Sequence, residues 1–540
     1  MLCRTGLAGK KVGQSGGLLQ LCPKSMCYKF GVKQSTTTPI VPFIPFQTLL
    51  SPALPEVCGN ADYQERAQTL EFIDELLRTS RVESDFVALC VQDFLSEAKP
   101  GAPPSGKDLE RHQTHSLIAL RAMTLKSLLL VDYRELSLQL AQSPLLRKFC
   151  LCDGIDTVHV PSKSQLHRYS TWLPHEQMRD VIDGLTRAAL APTADANASL
   201  ECALVLDVLL IDSTCLPADI HYPVDWVLLR DATRTLMGAI QWIRDHGLKN
   251  RLEAPESFLS RINALCMAMA AAGKSFVADS KKKRKAVLRK MKNVVNAVAS
   301  HARTHRQLLD AEWERTGVSR GRVEVVLRRM DSILAQLPAA KKQDHERIIG
   351  ERPVANAEKI LSLYDEDLHV MVRGKASGEV EFGNPLLLCE QSDGLIVDYK
   401  LTRETPKADV KILQESILRV DAIGCGTAFA VVTDRGFDSA ENRAYLEERD
   451  LFNGMCSRDI KELNRRRQEE LFVGCQERRA QTEGRVAILK NVFIGARCRA
   501  KGFDNREAQV DWAVLTHNLW LLVRLRKKQL AAKLQLAAAA

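Results

Sequence analysis

The sequence predicts an α/β core interrupted by a large all-helical insertion after its first strand and preceded by a helical N-terminal domain. Three observations predict this. Leu204 to Ile211 is a short apolar, β-branched run closed by Asp212-Ser213-Thr214, the mark of a buried strand leading into a loop. A second set of strand signals follows Pro353: Leu361 to Val372, Leu386 to Glu390 and Leu395 to Leu401 about an Asp-Gly hairpin signal at Gln391 to Gly394, and Thr427 to Thr433 ending at Asp434. Between and around these runs, apolar residues recur at steps of three and four, the period of a helix.

Taken in order, residues 1–60 are rich in Gly, Ser, Thr and Pro, show no helical period and read as a flexible leader. Residues 61–198 read as the helical domain, with periodicity over Gln64 to Leu95, His115 to Leu140, Gln165 to Trp172 and His175 to Leu190. The α/β core is placed at residues 199–240 and 350–525, the helical insertion at 241–349 and a tail at 526–540. No repeat of fixed period is present.

At 540 residues the chain has room for three or four domains by length alone. Its 45% hydrophobic and 26% charged residues are near globular averages and exclude general disorder. Lys and Arg number 76 against 66 Asp and Glu, a net charge of +10 that favours a polyanionic partner. The 15 cysteines are scattered, with Cys22/Cys27 and Cys150/Cys152 the close pairs, and no Cys/His array has zinc spacing. This usage fits reduced thiols in a cytosolic compartment, and neither a signal peptide nor a membrane span is read.

The chemistry is carried by carboxylates. Metal-assisted phosphoryl transfer needs several of them to converge, because two divalent ions roughly 4 Å apart must be neutralised together. Asp212 and Asp434 each close an apolar strand, and a downstream helix carries Glu483. Placement alone is equally compatible with capping and turn roles, which are common for Asp at strand ends.

The run Asp212-Ser213-Thr214, continuing through Ile220-His221-Tyr222-Pro223-Val224-Asp225 to the paired Leu228-Leu229, resembles the first catalytic block of DDE transposases from bacterial insertion sequences. Asp434-Arg435-Gly436-Phe437-Asp438 resembles the second block, and Glu477 through Glu483 to Lys490 the third. The three blocks stand in the family's order. The resemblance implies an RNase H-like catalytic core in which Asp212, Asp434 and Glu483 are catalytic and bind two Mg²⁺ ions, with Mn²⁺ a possible substitute. Of the Tyr-Arg-Glu-Lys signature that many members carry around the glutamate, Arg479 and Lys490 match, whereas Gln476 stands at the Tyr place. By spacing, Arg479, Glu483 and Lys490 would share one helical face, the two cations holding phosphates.

The resemblance further implies a cytoplasmic, nucleoid-associated protein. It would bind the terminal inverted repeats of its element, cleave DNA strands and transfer them into target DNA, as a homodimer on paired ends. The rival readings are a DNA-binding regulator of the same descent without catalysis and a nuclease without strand transfer.

Within the insertion, Lys281, Lys282, Lys283, Arg284 and Lys285, followed by Arg289, Lys290 and Lys292, form a basic helix suited to DNA phosphates. Leu117 to Leu146 is a candidate helix-turn-helix with Lys126, Arg134, Arg147 and Lys148 as contacts. His221 reads as a structural loop residue, Asp219, Asp225 and Asp231 as loop or cap residues, and Trp512 and Trp520 as core.

Overall fold

A computed structural model describes residues 60–98, 103–154, 157–190, 200, 202–220, 222–274, 279–375, 378–404 and 409–539. The expected leader up to residue 59, Cys22, Cys27 and His221 lie outside these residues. Among the described residues seven helices come first: α1 (Ala61–Thr79), α2 (Val82–Ser96), α3 (Gly106–Leu129), α4 (Tyr133–Gln142), α5 (Pro144–Phe149), α6 (Lys163–Tyr169) and α7 (His175–Leu190). Local chemistry fixes where they start. Ser105 and Asp108 form a reciprocal capping box on α3, Asp132 caps α4 and Ser162 caps α6. The α3–α4 bend is 105° over three residues, with Leu130 in the left-handed region where a glycine would be usual.

β1 (Val208–Pro217) is followed by the long helices α8 (Asp225–Asp245), α9 (Pro255–Lys274), α10 (Ser280–Glu312) and α11 (Arg320–Asp344). The chain then returns through β2 (His369–Lys375), β3 (Gly378–Glu390), β4 (Ile396–Leu401), α12 (Leu413–Ile423), β5 (Ala430–Thr433), α13 (Ala440–Glu448), β6 (Phe452–Asn453), α14 (Ile460–Arg466), α15 (Glu470–Ile488) and α16 (Phe503–Ala539). A π-helical segment, Leu489–Ile494, continues α15.

The six strands among the described residues form one mixed sheet. β3 pairs antiparallel with β1, β2 and β4, while β5 runs parallel to β1 and β6 parallel to β5. α12 makes the crossover from β4 to β5, which run the same way with β3 and β1 between them. One continuous apolar core joins Leu70 and Phe86 of the N-terminal helices to Ile211, Leu388 and Val431 of the sheet and to Leu515 of α16. Trp512 is buried there and Trp520 partly so. A second core, built from residues such as Leu229, Ile262, Val295 and Ile333, belongs to α8–α11.

Three boundaries differ from the sequence reading. β1 starts at Val208 rather than Leu204 and runs past Asp212 to Pro217, because β3 keeps pairing with it as far as Gly383. The run Leu361 to Val372 is strand only from His369; Leu361, Leu363 and Leu368 are buried in irregular chain, so their hydrophobicity reflects packing rather than pairing. α8 shares its core with α9–α11, so the helices around this second core begin at Asp225, ahead of the expected residue 241.

Candidate active site

β1 changes its neighbours at Asp212. Its parallel pairing with β5 ends at Ile211 opposite Thr433, so Asp212 and Asp434 are each one residue beyond the last matched pair. Parallel neighbours lie about 4.8 Å apart, so the two aspartates occupy adjoining places at the carboxyl edge of these strands. Side chains alternate along a strand. Val208 and Leu210 pack with Ala430, Val432 and Cys475 of α15, which puts Asp212 and Thr214 on the α15 side of the sheet. Ser213, on the opposite side, donates to Asp409 at 2.8 Å.

Asp434 also makes the turn that the plain reading anticipates. Its Oδ1 accepts from the Gly436 amide at 2.8 Å. A Cβ on Gly436 would stand 2.7 Å from Asp409 Oδ2 and 3.0 Å from Asp434 Oδ1, so glycine is required for both carboxylates to approach this turn.

α15 crosses this edge. Gln476 donates to Gly454 O and accepts from Cys456 Sγ, tying the helix to the chain beyond β6; this is the job done by the residue at the Tyr place. Arg478 pairs with Asp207 at 3.3 Å just before β1. Lys490 donates to Thr214 Oγ1 at 3.3 Å, two residues beyond Asp212 on the same side of β1. Glu483 stands between Gln476 and Lys490, its side chain 71% exposed and 3.9 Å from Arg479. The common face expected for Arg479, Glu483 and Lys490 is interrupted. Lys490 lies past the end of α15 in the π-helical segment, whose wider turn changes the angular spacing.

Two further carboxylates stand at the site. Asp409 bridges Ser213 toward the Gly436 turn, as above. Glu390, opposite Leu210 in the β1–β3 ladder, is buried, and that burial pushes its carboxyl up to about 7. The charge on Asp212 pushes the same way, while Arg485 and the Thr482 hydroxyl favour the ionised form. Arg485 lies 3.5 Å from Glu390 Oε1, whereas Thr482 Oγ1 makes no hydrogen bond of good geometry. Neither Asp409 nor Glu390 has a sequence signal distinguishing it from the other 64 acidic residues; strand pairing brings in Glu390, and the connection from β4 to α12 brings in Asp409.

Among the described residues, no three His, Cys, Asp or Glu side chains are gathered closely enough to hold one ion. The donors nevertheless suit a hard divalent cation. Asp212 and Asp434 offer carboxylate oxygens on rigid mounts, and Glu483, held only at 3.9 Å by Arg479, has solvent around it in which to turn. The discounted acids are engaged elsewhere: Asp225 with Arg347 and Gln343, and Asp231 with Arg230. Asp219 donates its amide to Cys498 O.

On the insertion, Lys281 and Lys285 each reach Glu351 at 2.9 Å, and these contacts pull the Glu351 carboxyl down to about 2. Lys282, Lys283, Arg289 and Lys290 are exposed. Arg284 is half-buried, its Nε without a hydrogen bond. Of the helix-turn-helix candidates, Lys126 lies over the Tyr133 ring and Arg147 pairs with Asp153, leaving Arg134 and Lys148 exposed. Among the described residues no single helix is long and apolar enough to cross a membrane.

Residues 374–519 match a family model described as the transposase DDE domain, a range containing Asp434 and Glu483 but not Asp212. No curated protein and no solved structure is matched by the chain. Such a domain implies an RNase H-like fold, with which the mixed sheet agrees.

Proposed function

We propose that this chain, a DDE-type transposase by the domain it carries, uses Asp212, Asp434 and Glu483 to cleave DNA at the ends of its element and to join the freed ends to target DNA. One observation carries the reading. Asp212 and Asp434 adjoin at the edge of paired parallel strands, and the helix that crosses that edge bears Glu483 between anchors at Gly454 and Thr214.

Two Mg²⁺ ions, or Mn²⁺ in their place, would be held by these three carboxylates and would supply Lewis acidity at the scissile phosphate. Asp212 and Asp434 provide the fixed side of the site, and Glu483 closes from the helix. Lys490 and Arg479 flank Glu483 and hold phosphate oxygens, a charge-assisted contact that orients the backbone for in-line attack. In the first step water breaks the phosphodiester and leaves a 3′ hydroxyl and a 5′ phosphate. In the second, that hydroxyl bonds to a target phosphate and displaces a target 3′ hydroxyl, so one ester is exchanged for another. No covalent protein intermediate is needed.

The basic face of α10, with Lys282, Lys283, Arg289 and Lys290 outward and Lys281, Arg284 and Lys285 beside them, binds duplex phosphates. α4 reads the inverted repeats as the second helix of a helix-turn-helix, a reading supported by its 105° bend from α3 across a three-residue turn. Two copies acting on paired ends form the working unit.

The test uses duplexes made from the DNA flanking the coding region. Asp212→Asn, Asp434→Asn and Glu483→Gln each lower strand cleavage by at least roughly 10³-fold, several kcal/mol of transition-state stabilisation, while gel-shift binding is retained. Cleavage persisting in all three variants overturns the assignment. A duplex with a pre-cut 3′ end separates the rivals: a nuclease without strand transfer gives no joined product, and a non-catalytic binding protein gives neither reaction.

A further inference from the structure

The helix bearing Glu483 is fastened to the sheet two residues further on, at a place that the family signature does not include. Arg485 Nη1 lies 3.5 Å from Glu390 Oε1 and donates to Ser392 O at 3.2 Å, and Nη2 donates to the same carbonyl at 3.3 Å. The guanidinium rests against Gly394 of the β3–β4 turn, where a Cβ would meet its atoms at 3.1 Å and where φ is +98°. Glycine is therefore needed twice at position 394, for the left-handed backbone and for the room. All three receiving groups belong to one hairpin, and β3 of that hairpin is the direct neighbour of β1 in the ladder that contains Asp212.

The consequence for Glu483 is geometric. Residues 483 and 485 are two apart on one helix, about 200° around its axis, so a latch on Arg485 fixes the rotation that points Glu483 away from the hairpin. The other attachments do not replace it. Gln476 and Arg478 hold the helix more than a turn earlier, and Lys490 holds it only after the change to π-helical winding.

We propose that Arg485 is a positioning residue, latched to the β3–β4 hairpin through Glu390, Ser392 and Gly394, and that this latch sets where the Glu483 carboxylate stands relative to Asp212 and Asp434. The proposal rests on the reading of Glu483 as the third carboxylate. Arg485 touches neither the ion nor DNA; it acts through the helix. The guanidinium fork matters because it meets a carboxylate and a carbonyl at once, which a lysine cannot do in one plane.

The test is Mn²⁺ binding to the full chain, followed by electron paramagnetic resonance, as a double-mutant cycle. Arg485→Ala weakens Mn²⁺ binding about tenfold, as loss of an outer-shell partner does, and Arg485→Lys falls between it and wild type. Glu483→Gln weakens binding by itself, and adding Arg485→Ala to it produces no further loss. Losses that multiply, or Arg485→Ala binding like wild type while Glu483→Gln is impaired, overturn the latch and leave the site assignment standing. Unchanged binding in Glu483→Gln overturns the site assignment and the latch with it. Should Arg485→Ala fail to fold, Gly394→Ala tests the same latch from the sheet side and follows the same non-additive pattern; additivity there overturns it equally.

Discussion

Buried acids are treated differently in the sheet and in the helical insertion. Around the sheet the buried acids are partnered, three of them by arginine forks and Asp511 by His175 and the Tyr399 hydroxyl. Asp398 accepts from both Arg179 and Arg419, with Ser416 adding a hydroxyl at 2.7 Å; Asp365 meets the fully buried Arg506, and Asp438 meets Arg443 at 2.8 and 2.9 Å. In the insertion Asp231 has Arg230, but Asp344, fully buried at the end of α11, has no hydrogen bond to either carboxylate oxygen. A buried charge is tolerated when opposite charge and hydrogen bonds replace the lost water; otherwise the group keeps its proton. The difference extends to the cations. Around the sheet many arginines are occupied internally. The insertion from Asp225 to Arg352 has 26 Lys and Arg against 14 Asp and Glu, an excess larger than that of the whole chain. The cation excess is thus concentrated between Asp225 and Arg352, and the modest overall charge conceals it.

The largest expected effect breaks a fork. Arg506 donates to Asn384 Oδ1 at 2.9 Å and to Asp365, joining α16 to β3 and to the chain before β2. Arg506→Ala leaves Asp365 buried beside no cation and lowers stability by about 3–5 kcal/mol, read from urea unfolding. A loss below about 1 kcal/mol would show that water replaces the guanidinium and that the contrast with Asp344 is not one of pairing.

These forks mark the limit of what the sequence reveals. Local signals served where the cause is local. His175 to Leu190 is read from periodicity and is helix over that span, and Gln391 to Gly394 is a turn because Gly394 supplies the positive φ. Apolar runs do not mark strands where their hydrophobicity has another source. Leu361, Leu363 and Leu368 are apolar because they cover cores, and the start of β1 is set by its partners rather than by its own leucines. At the candidate site, Asp212, Asp434 and Glu483 are named through motif resemblance, and the structure places the first two side by side. Glu390 and Asp409 arrive by strand register and crossover, which relate residues far apart in the chain, so nothing in the neighbouring sequence announces them. The π-helical segment that holds Lys490 is equally silent, since the 3.6-residue pattern continues through it.

A smaller effect follows from Asp344 itself. Burial raises its carboxyl to about 8, and Asp225 adds to that, while Lys292 and Arg347 oppose it. In the unfolded chain an aspartate ionises near pH 4. Between about pH 4 and pH 8 the folded protein therefore holds a proton that the unfolded chain has released. The stability this proton confers is complete below pH 4 and is lost as pH rises toward 8, by up to about 1.4 kcal/mol per pH unit. Asp344→Asn removes the titration while keeping the shape, so its melting temperature relative to wild type climbs steadily from pH 5 to pH 8. A difference independent of pH would mean that Asp344 is ionised in the fold, and the contrast with the sheet would disappear.

The smallest effect, and the most direct test of what the insertion's charge does, concerns Glu351. It occupies two cations of the α10 run, Lys281 and Lys285, both at 2.9 Å, at the position where α10 begins. An exposed pair of this kind contributes little to stability, so Glu351→Gln leaves the melting temperature nearly unchanged. Its effect is on the partner. Freeing two ammonium groups that lie beside Lys282 and Lys283 adds up to about two phosphate contacts, and each contact steepens the dependence of log affinity on log salt by roughly 0.9. Duplex binding by Glu351→Gln is therefore tighter at low salt and falls more steeply as salt rises. Lys282→Ala with Lys283→Ala moves the slope the other way by a similar amount, equally for every DNA sequence, because phosphate contacts do not read bases. A slope that responds to neither change would place the DNA on another surface and leave the basic run as a solvated helix face.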